Sequence, residues 1–354
     1  MTTQRRRVAI MAEGNFTLLN AKTATGVIRY SDHQIVGAID STRAGRTIEQ
    51  CLGFGGPAPV VATLGELLPA RPDVLLIGIA PSGGRLPDDW RGVIFEAIEN
   101  HLDVWSGLHF FLTDDEEFAE RAEMKGVRLW DVRRPPAGLE VAHARALKAQ
   151  AFVVLTVGTD CNVGKMTVAL ELRRAARARG LKAEFVATGQ TGILIEGEGT
   201  PLDAVPGDFM AGEVERLVMM HDAAGADVIF VEGQGALLHP GFGPVTLGLM
   251  LGAMPDAFVM VHQPSREKFR PGTSIPLPSL EFTIRHYEQF MEYYKAPRTV
   301  AVCLNTYDQS EAEARRLIAE TAQITGLPCC DALRDGVEPV MDALEPLIRA
   351  KRGR

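Results

Sequence analysis

The chain is 354 residues long, 46% hydrophobic and 23% charged, with a formal net charge of −8 at pH 7. That length accommodates two domains with separate cores, and the acidic balance argues against nucleic acid as a partner, which would favour a basic face. No segment approaches the roughly 20 apolar residues of a membrane span, so no membrane association is expected. The basic run Arg5, Arg6 and Arg7 precedes the short apolar stretch VAIMA, which reads as a first strand rather than a signal peptide. The five cysteines, Cys51, Cys161, Cys303, Cys329 and Cys330, are odd in number and lack metal-ligand spacing. A reducing, cytoplasmic setting and no protein-held metal are therefore expected.

Through residues 1–135, apolar runs flanked by Gly and Asp alternate with helical periodicity. RRVAIMAEG, HQIVGAIDS, DVLLIGIAPSGG, LDVWSGLHFFL and VRLWDVRRPP read as strands, and 60–68 and 90–100 as helices. Such alternation predicts an α/β domain with a parallel sheet covered on both faces. The G-x-G-x-x-G fingerprint is missing after the first strand, so no nicotinamide site is expected, although Asp40 ends the second strand where a ribose-binding acid would sit. Arg133-Arg134-Pro135-Pro136 breaks the pattern and marks a boundary. A linker helix is expected within 136–150. The second domain, 151–354, repeats the alternation with strands at 153–157, AEFVATGQTG, ADVIFVEGQG, DAFVMVHQP and RTVAVCLNT, and helices over 311–325 and 338–350. Cys329-Cys330 reads as a strand at a sheet edge, and the apolar patch 247–254 as core or subunit contact.

The segment VVLTVGTDCNVGKMTVALEL, residues 153–172, places a strand, a glycine-bounded loop and a helix in register. A loop of this kind wraps backbone N–H groups around a phosphate, aims a helix N-terminus at it and adds a lysine charge. The candidate cofactor-binding residues are Gly158, Thr159, Asp160, Cys161, Asn162, Val163, Gly164, Lys165, Met166 and Thr167. The spacing is G-x5-GK, one residue longer than the standard phosphate loop. Met166 stands where Ser or Thr usually holds magnesium, and a thioether is a poor ligand for a hard cation. Thr167 can substitute only if the helix start is shifted. Cys161 reads as a small residue in a tight turn rather than a nucleophile, because no base accompanies it in sequence.

Ligands of open α/β sheets gather at the carboxyl ends of strands. Glu232, followed by Gly233-Gln234-Gly235, ends one strand and reads as a base or magnesium ligand, or as a structural cap. Asp208, after Pro206-Gly207, reads equally as a general base or a helix N-cap. His262 can accept a proton near neutral pH or be satisfied by backbone groups. Arg266 and Arg270 suit substrate carboxylates through forked hydrogen bonds. Asn305 ends the last long strand, where an amide side chain can read an adenine edge. Gln190 lies in a run of small residues and hydroxyls suited to substrate. In the first domain Lys22, Thr23, Arg29, Ser82, Gly83, Gly84 and Arg85 offer cations and N–H donors that suit a small dicarboxylate held between the domains.

GTDCNVGK, VEGQG and CLNT together are similar to dethiobiotin synthetase and its P-loop relatives, although those place Thr directly after the lysine. A resemblance covering nearly the whole chain rests on AEGNFTLLNAKTATGVIRY, IDSTRAGRT, GIAPSGGRLPDDWR, GTDCNVGKMT, GQTGILIEG, VEGQGALLHPG and HQPSR. By these the chain is identified as a member of the family with a Rossmann-like N-terminal and a P-loop NTPase-like C-terminal domain, whose members are described as DgcN-type N-acetyltransferases acting on D-glutamate.

The resemblance implies that the loop holds the phosphates of acetyl-CoA rather than a triphosphate being cleaved, which makes Met166 tolerable. Acetyl transfer needs a neutral amine, a base and donors for the thioester carbonyl. Glu232 ranks first as base, then Asp208 and His262, with the N–H groups of 233–235 as donors. The expected protein is an acetyl-CoA-dependent N-acetyltransferase of an acidic D-amino acid, cytoplasmic and homo-oligomeric. The alternative is a ligase or kinase that activates a carboxylate with ATP and Mg2+. A nucleotide-sensing protein without turnover is the third reading.

Overall fold

The computed structural model describes residues 5–79 and 86–353. They form two compact units, one of residues 1–135 with 189–204, the other of 136–188 with 205–354. Ser82, Gly83, Gly84 and Arg85 lie outside the described residues.

The N-terminal unit runs β1 (Arg7–Met11), α1 (Lys22–Tyr30), β2 (Gln34–Ile39), α2 (Ile48–Leu52), β3 (Val60–Val61), β4 (Val74–Ile77), α3 (Trp90–Glu99), β5 (Asp103–Ser106), α4 (Glu116–Lys125) and β6 (Leu129–Asp131). Its strands form one parallel sheet in the order β3-β2-β1-β4-β5-β6. The run Val74, Leu75, Leu76, Ile77 is wholly buried, as expected of a strand covered on both faces. The helix expected over 60–68 does not form. Val60 and Val61 instead pair with Ala38 and Ile39, and a 3-10 turn, Leu64–Ala70, follows. Two β-branched residues favour an edge strand, and Pro69 removes the N–H an α-helix would need there. Asp40 is not a free ribose acid. Its carboxylate accepts from Thr42 N at 3.0 Å and Phe16 N at 2.9 Å, joining the loop after β1 to the end of β2.

The C-terminal unit contains β7 (Phe152–Gly158), α5 (Lys165–Ala178) and β8 (Ala183–Val186). The next helix, α6 (Gln190–Glu196), belongs to the N-terminal unit, where Thr191 Oγ1 lies 3.2 Å from Thr23 Oγ1. The chain continues through α7 (Gly207–Ala223), β9 (Val228–Val231), α8 (Gly243–Ala253), β10 (Ala257–His262), α9 (Leu280–Met291), β11 (Arg298–Leu304), α10 (Glu311–Thr325), β12 (Cys329–Cys330) and α11 (Glu338–Arg352). These strands make a second parallel sheet, ordered β12-β11-β10-β7-β9-β8. From β7 the chain crosses to outer β8, returns to β9 and then passes β7 to β10. The winding direction reverses beside β7, so the crevice of this unit lies at the carboxyl ends of β7 and β10.

The linker helix is replaced by a single 3-10 turn, Arg145–Lys148. The reason is tertiary. The carboxylate of buried Glu215 accepts from His143 N (3.1 Å), Arg145 N (2.5 Å) and Arg145 Nε (2.7 Å), satisfying groups a helix would have paired internally. A Cβ on Gly212 would lie 1.8 Å from Glu140 O, so α7 approaches this strap at backbone distance. The apolar patch at 247–254 is core. Leu249, Met250 and Ala253 are buried, and a Cβ on Gly252 would lie 2.3 Å from Ala211 O of α7. Among the described residues no helix is long and apolar enough to cross a membrane.

Candidate phosphate-binding site

The loop after β7 begins at a glycine for lack of room. A Cβ on Gly158 would sit 2.9 Å from Val163 Cγ2 and 3.1 Å from Lys165 Nζ. Asn162 (φ 54°) and Gly164 (φ 110°) adopt left-handed backbone, which turns the chain sharply before α5. Lys165 is the first residue of α5, whose N-cap, Gly164, makes no side-chain cap. Among the described residues the N–H groups of Asn162, Gly164, Lys165, Met166 and Thr167 donate no hydrogen bond. The result is a ring of unspent donors at the N-terminus of a 14-residue helix. Because α5 starts at Lys165, Thr167 is one residue too far round the helix to replace a Ser or Thr at position 166.

Lys165 is buried, and its Nζ donates to Asp160 O at 2.8 Å. Burial pushes its ammonium down to about 8. Asp160, fully buried, accepts from Arg266 Nη1 at 2.8 Å and Arg270 N at 2.9 Å through Oδ2. Arg266 also donates to Cys161 O (2.7 Å) and Gln263 Oε1 (2.8 Å). Its guanidinium fastens the loop after β7 to the loop after β10 through Nη1, and its buried Nε has no hydrogen-bond partner among the described residues. The guanidinium is not a free fork for a substrate carboxylate, as the sequence suggested. Burial raises the Cys161 thiol, which agrees with a packing role rather than a thiolate nucleophile.

Asp160, Cys161 and His239 bring ligand atoms within 4.8 Å of one another, a grouping that could hold a metal. The hydrogen bonds argue otherwise. His239 Nδ1 accepts from Gly241 N (3.0 Å) and Phe242 N (3.2 Å), so its proton sits on Nε2, which lies 3.1 Å from Arg270 O. That tautomer has no lone pair to offer, and Arg266 already neutralises Asp160.

His262 ends β10, with Nδ1 2.9 Å from Thr159 Oγ1. Burial first, then the positive field of Arg266, lowers it to about 4. The ring is neutral at working pH but a feeble proton acceptor, and it stays last among the candidate bases. His262→Gln is accordingly expected to leave the shape of the kcat/KM profile between pH 5.5 and 8 unchanged. Loss of a limb in that range would restore the histidine as base. Asn305 reaches the loop itself, donating from Nδ2 to Val163 O at 3.1 Å. One of its amide hydrogens is thereby taken from any adenine contact.

Glu232, buried at the end of β9, accepts from Thr188 N (2.9 Å) and Gln234 Nε2 (3.0 Å). The N–H of Gly233 is spent on Thr156 Oγ1 at 3.0 Å, which removes it from the set of possible carbonyl donors. Among the described residues Gln234 and Gly235 N–H remain unpaired. Thr156, a hydroxyl in an otherwise apolar strand, was missed by the sequence reading; that one polar residue in VVLTV was the available signal. A Cβ on Gly233 would meet Thr156 O at 1.8 Å and Lys165 Cδ at 2.8 Å. Gly233→Ala should therefore cost about 3 kcal/mol or more by overpacking, read as a lowered urea midpoint.

Asp208 is exposed in the first turn of α7, where the N-cap is Pro206, so its N-cap reading is not realised and its carboxylate lies open to solvent. It instead favours the helix dipole. In the N-terminal unit Lys22 opens α1 at the carboxyl edge of the sheet. Arg29 lies in the last turn, at the opposite edge, because α1 runs back along β1. Its guanidinium stacks 3.9 Å from the Phe54 ring centroid, so it is not grouped with Lys22. Gln190 opens α6 and packs beside Gly107, where an added Cβ would lie 3.0 Å from Gln190 Cγ.

The P-loop domain model of the DUF1611 family, a domain of unknown function, matches residues 140–341, and its Rossmann-like N-terminal model matches 41–135. A protein of Tritonibacter scottomollicae named D-glutamate N-acetyltransferase is 38% identical over 329 residues, covering 92% of this chain and 95% of that protein. One of the same name from a Pseudoalteromonas species is 37% identical over 267 residues, covering 75% and 79%. The crystal structure of a DUF1611 family protein from Anabaena variabilis superposes with a TM-score of 0.92 at 38% identity, covering 97% of this chain and all of that one. With both domain models matched in order and relatives spanning nearly its whole length, the chain belongs to the DUF1611 family.

Proposed function

We propose that the protein is a D-glutamate N-acetyltransferase whose acetyl donor, acetyl-CoA, is held by its phosphates in the loop 158–167. The observation that carries the phosphate site is the set of unpaired N–H groups at the start of α5 together with the buried Lys165 ammonium. Support for the reaction comes from the relatives of that name. The residues fit a diphosphate bound without metal: donors and a cation are present, and Met166 occupies the usual magnesium-ligand position. When bound, acetyl-CoA supplies the activated thioester carbonyl.

The chain's own part is to hold phosphate, accept a proton and polarise a carbonyl. The loop amides and Lys165 bind the diphosphate, and the Asp160–Arg266 pair keeps the loop in shape. Glu232 takes the proton of the substrate amine, because it is the carboxylate buried beside the unpaired amides while Asp208 is exposed. Gln234 and Gly235 N–H receive the carbonyl oxygen. The free cysteines suit a cytoplasmic setting, and self-association is testable by size-exclusion chromatography.

The test is thiol release from acetyl-CoA with D-glutamate, L-glutamate and D-aspartate as acceptors. Release with D-glutamate alone or foremost supports the reading, and no release with any acidic amino acid sinks it. The ligase reading calls for magnesium-dependent ADP formation. Comparing the thermal shift given by coenzyme A with that given by ATP plus magnesium separates the two, since a ligand of the native state raises apparent stability by mass action.

A further inference from the structure

We propose that Tyr287 is a positioning residue that fixes the turn after β9 against the phosphate loop, so that two pre-aimed amides face one bound molecule; this rests on the acetyl-transfer reading above. Tyr287 lies on α9 and is fully buried. Its hydroxyl donates to Gly158 O at 2.9 Å and accepts from Leu237 N at 2.8 Å. A phenol has one hydrogen, so the direction of both bonds is fixed: the N–H must be the donor and the carbonyl the acceptor. Burial also pushes the phenol well above its ordinary value, keeping the proton in place at any working pH.

Gly158 is the last residue of β7, and the space beside its Cα is closed by Lys165 Nζ and Val163. Leu237 lies five residues beyond Glu232 in the loop that leads to α8. The start of that loop is held by Thr156, which accepts from Gly233 N and donates to Val231 O at 3.2 Å. Thr156 and Tyr287 thus pin the loop at Gly233 and at Leu237, both to β7. Between the pins lie Gln234 and Gly235, whose N–H groups are unpaired among the described residues. Donors aimed at a developing charge are effective when their orientation is set in advance rather than acquired during reaction.

Core filling alone does not require the hydroxyl. On α9, Thr283, Tyr287 and Met291 form the buried stripe, and the Tyr287 ring packs edge-on against Phe258 of β10 at 5.8 Å. A phenylalanine would fill the same volume.

The experiment compares Tyr287→Phe with wild type well below the unfolding temperature. The expected result is a kcat lower by about tenfold or more with the KM for acetyl-CoA changed less than about threefold, the pattern of lost carbonyl stabilisation. Thr156→Val, which removes the other pin, should give the same split. Phe258→Leu, which loosens the ring packing and spares both hydrogen bonds, should leave kcat within about twofold. Amide hydrogen exchange at Gln234 and Gly235 should quicken in Tyr287→Phe and not in Phe258→Leu. Lowered thermal stability with kcat, KM and exchange unchanged would overturn the proposal, as would equal loss of kcat in Phe258→Leu. If wild type releases no thiol, the acetyl-transfer reading fails, and the exchange comparison still decides whether the pin exists. Should Tyr287→Phe not fold, Thr156→Val carries the same outcomes.

Discussion

Lys165→Ala is expected to weaken coenzyme A binding by about 10- to 100-fold in a calorimetric titration, since a hydrogen bond to a charged group contributes roughly 1.5–3 kcal/mol. The unpaired amides of the loop remain in the variant, so binding should fall rather than vanish. The lysine also makes the site pH-dependent. Its ammonium is held at about 8, so affinity for the anionic carrier should decline as pH rises past 8. An unchanged affinity in the variant, or one rising above pH 8, would place the phosphates elsewhere.

Burying the same lysine costs the folded protein stability. Its folded-state value, about 8, lies below the ordinary 10.5. Below pH 8 the ammonium is charged in both states, and folding bears the full cost of burying it. Between about 8 and 10.5 the folded protein sheds a proton that the unfolded chain retains, so stability contributed by this group climbs with pH. Lys165→Met should therefore be more stable than wild type at pH 7 in the absence of ligand, by at most about 3 kcal/mol, and the advantage should fade toward pH 10.5. Denaturant unfolding at both pH values reads it. A variant less stable than wild type at pH 7 would show that the Lys165–Asp160 carbonyl contact outweighs desolvation.

Glu232→Gln is expected to lower kcat for acetyl transfer by about 10²–10⁴, the usual range for loss of a general base, with coenzyme A affinity held. Part of the loss is structural. Oε2 accepts from Thr188 N and Oε1 from Gln234 Nε2, so a glutamine must turn its own NH2 toward one of these donors. That mismatch costs about 1–3 kcal/mol and lowers stability as well. Glu232→Asp separates the contributions: it keeps the charge, shortens the reach and should retain more stability than activity. A kcat within tenfold of wild type for Glu232→Gln would remove the carboxylate from proton transfer and leave it as the cap of the loop after β8.

Much of the molecule was legible without coordinates because its strands are buried on both faces. Such strands read as unbroken apolar runs, and VVLTV, VLLI, VIFV and AFVMV each appear in the sheets where the runs predicted them. The edge strand Cys329–Cys330 and the last two helices were equally plain, because turn residues and 3.6-residue periodicity are local signals. The phosphate loop was visible because a left-handed turn leading into a helix demands particular residues at fixed positions.

What the sequence determined by itself was set by short-range rules: the α/β alternation, the loop and its lysine, and the misfit of Met166 as a metal ligand. Tertiary structure alone decided where each polar side chain spends its hydrogen bonds. Arg266 turned inward to Asp160, Glu215 dissolved the expected linker helix by capturing its N–H groups, and the chain direction of α1 carried Arg29 away from Lys22. A side chain's partner lies tens of residues away, and its choice follows from burial: a polar group removed from water takes whichever partner the fold brings within about 3 Å. Linear spacing holds no record of that distance.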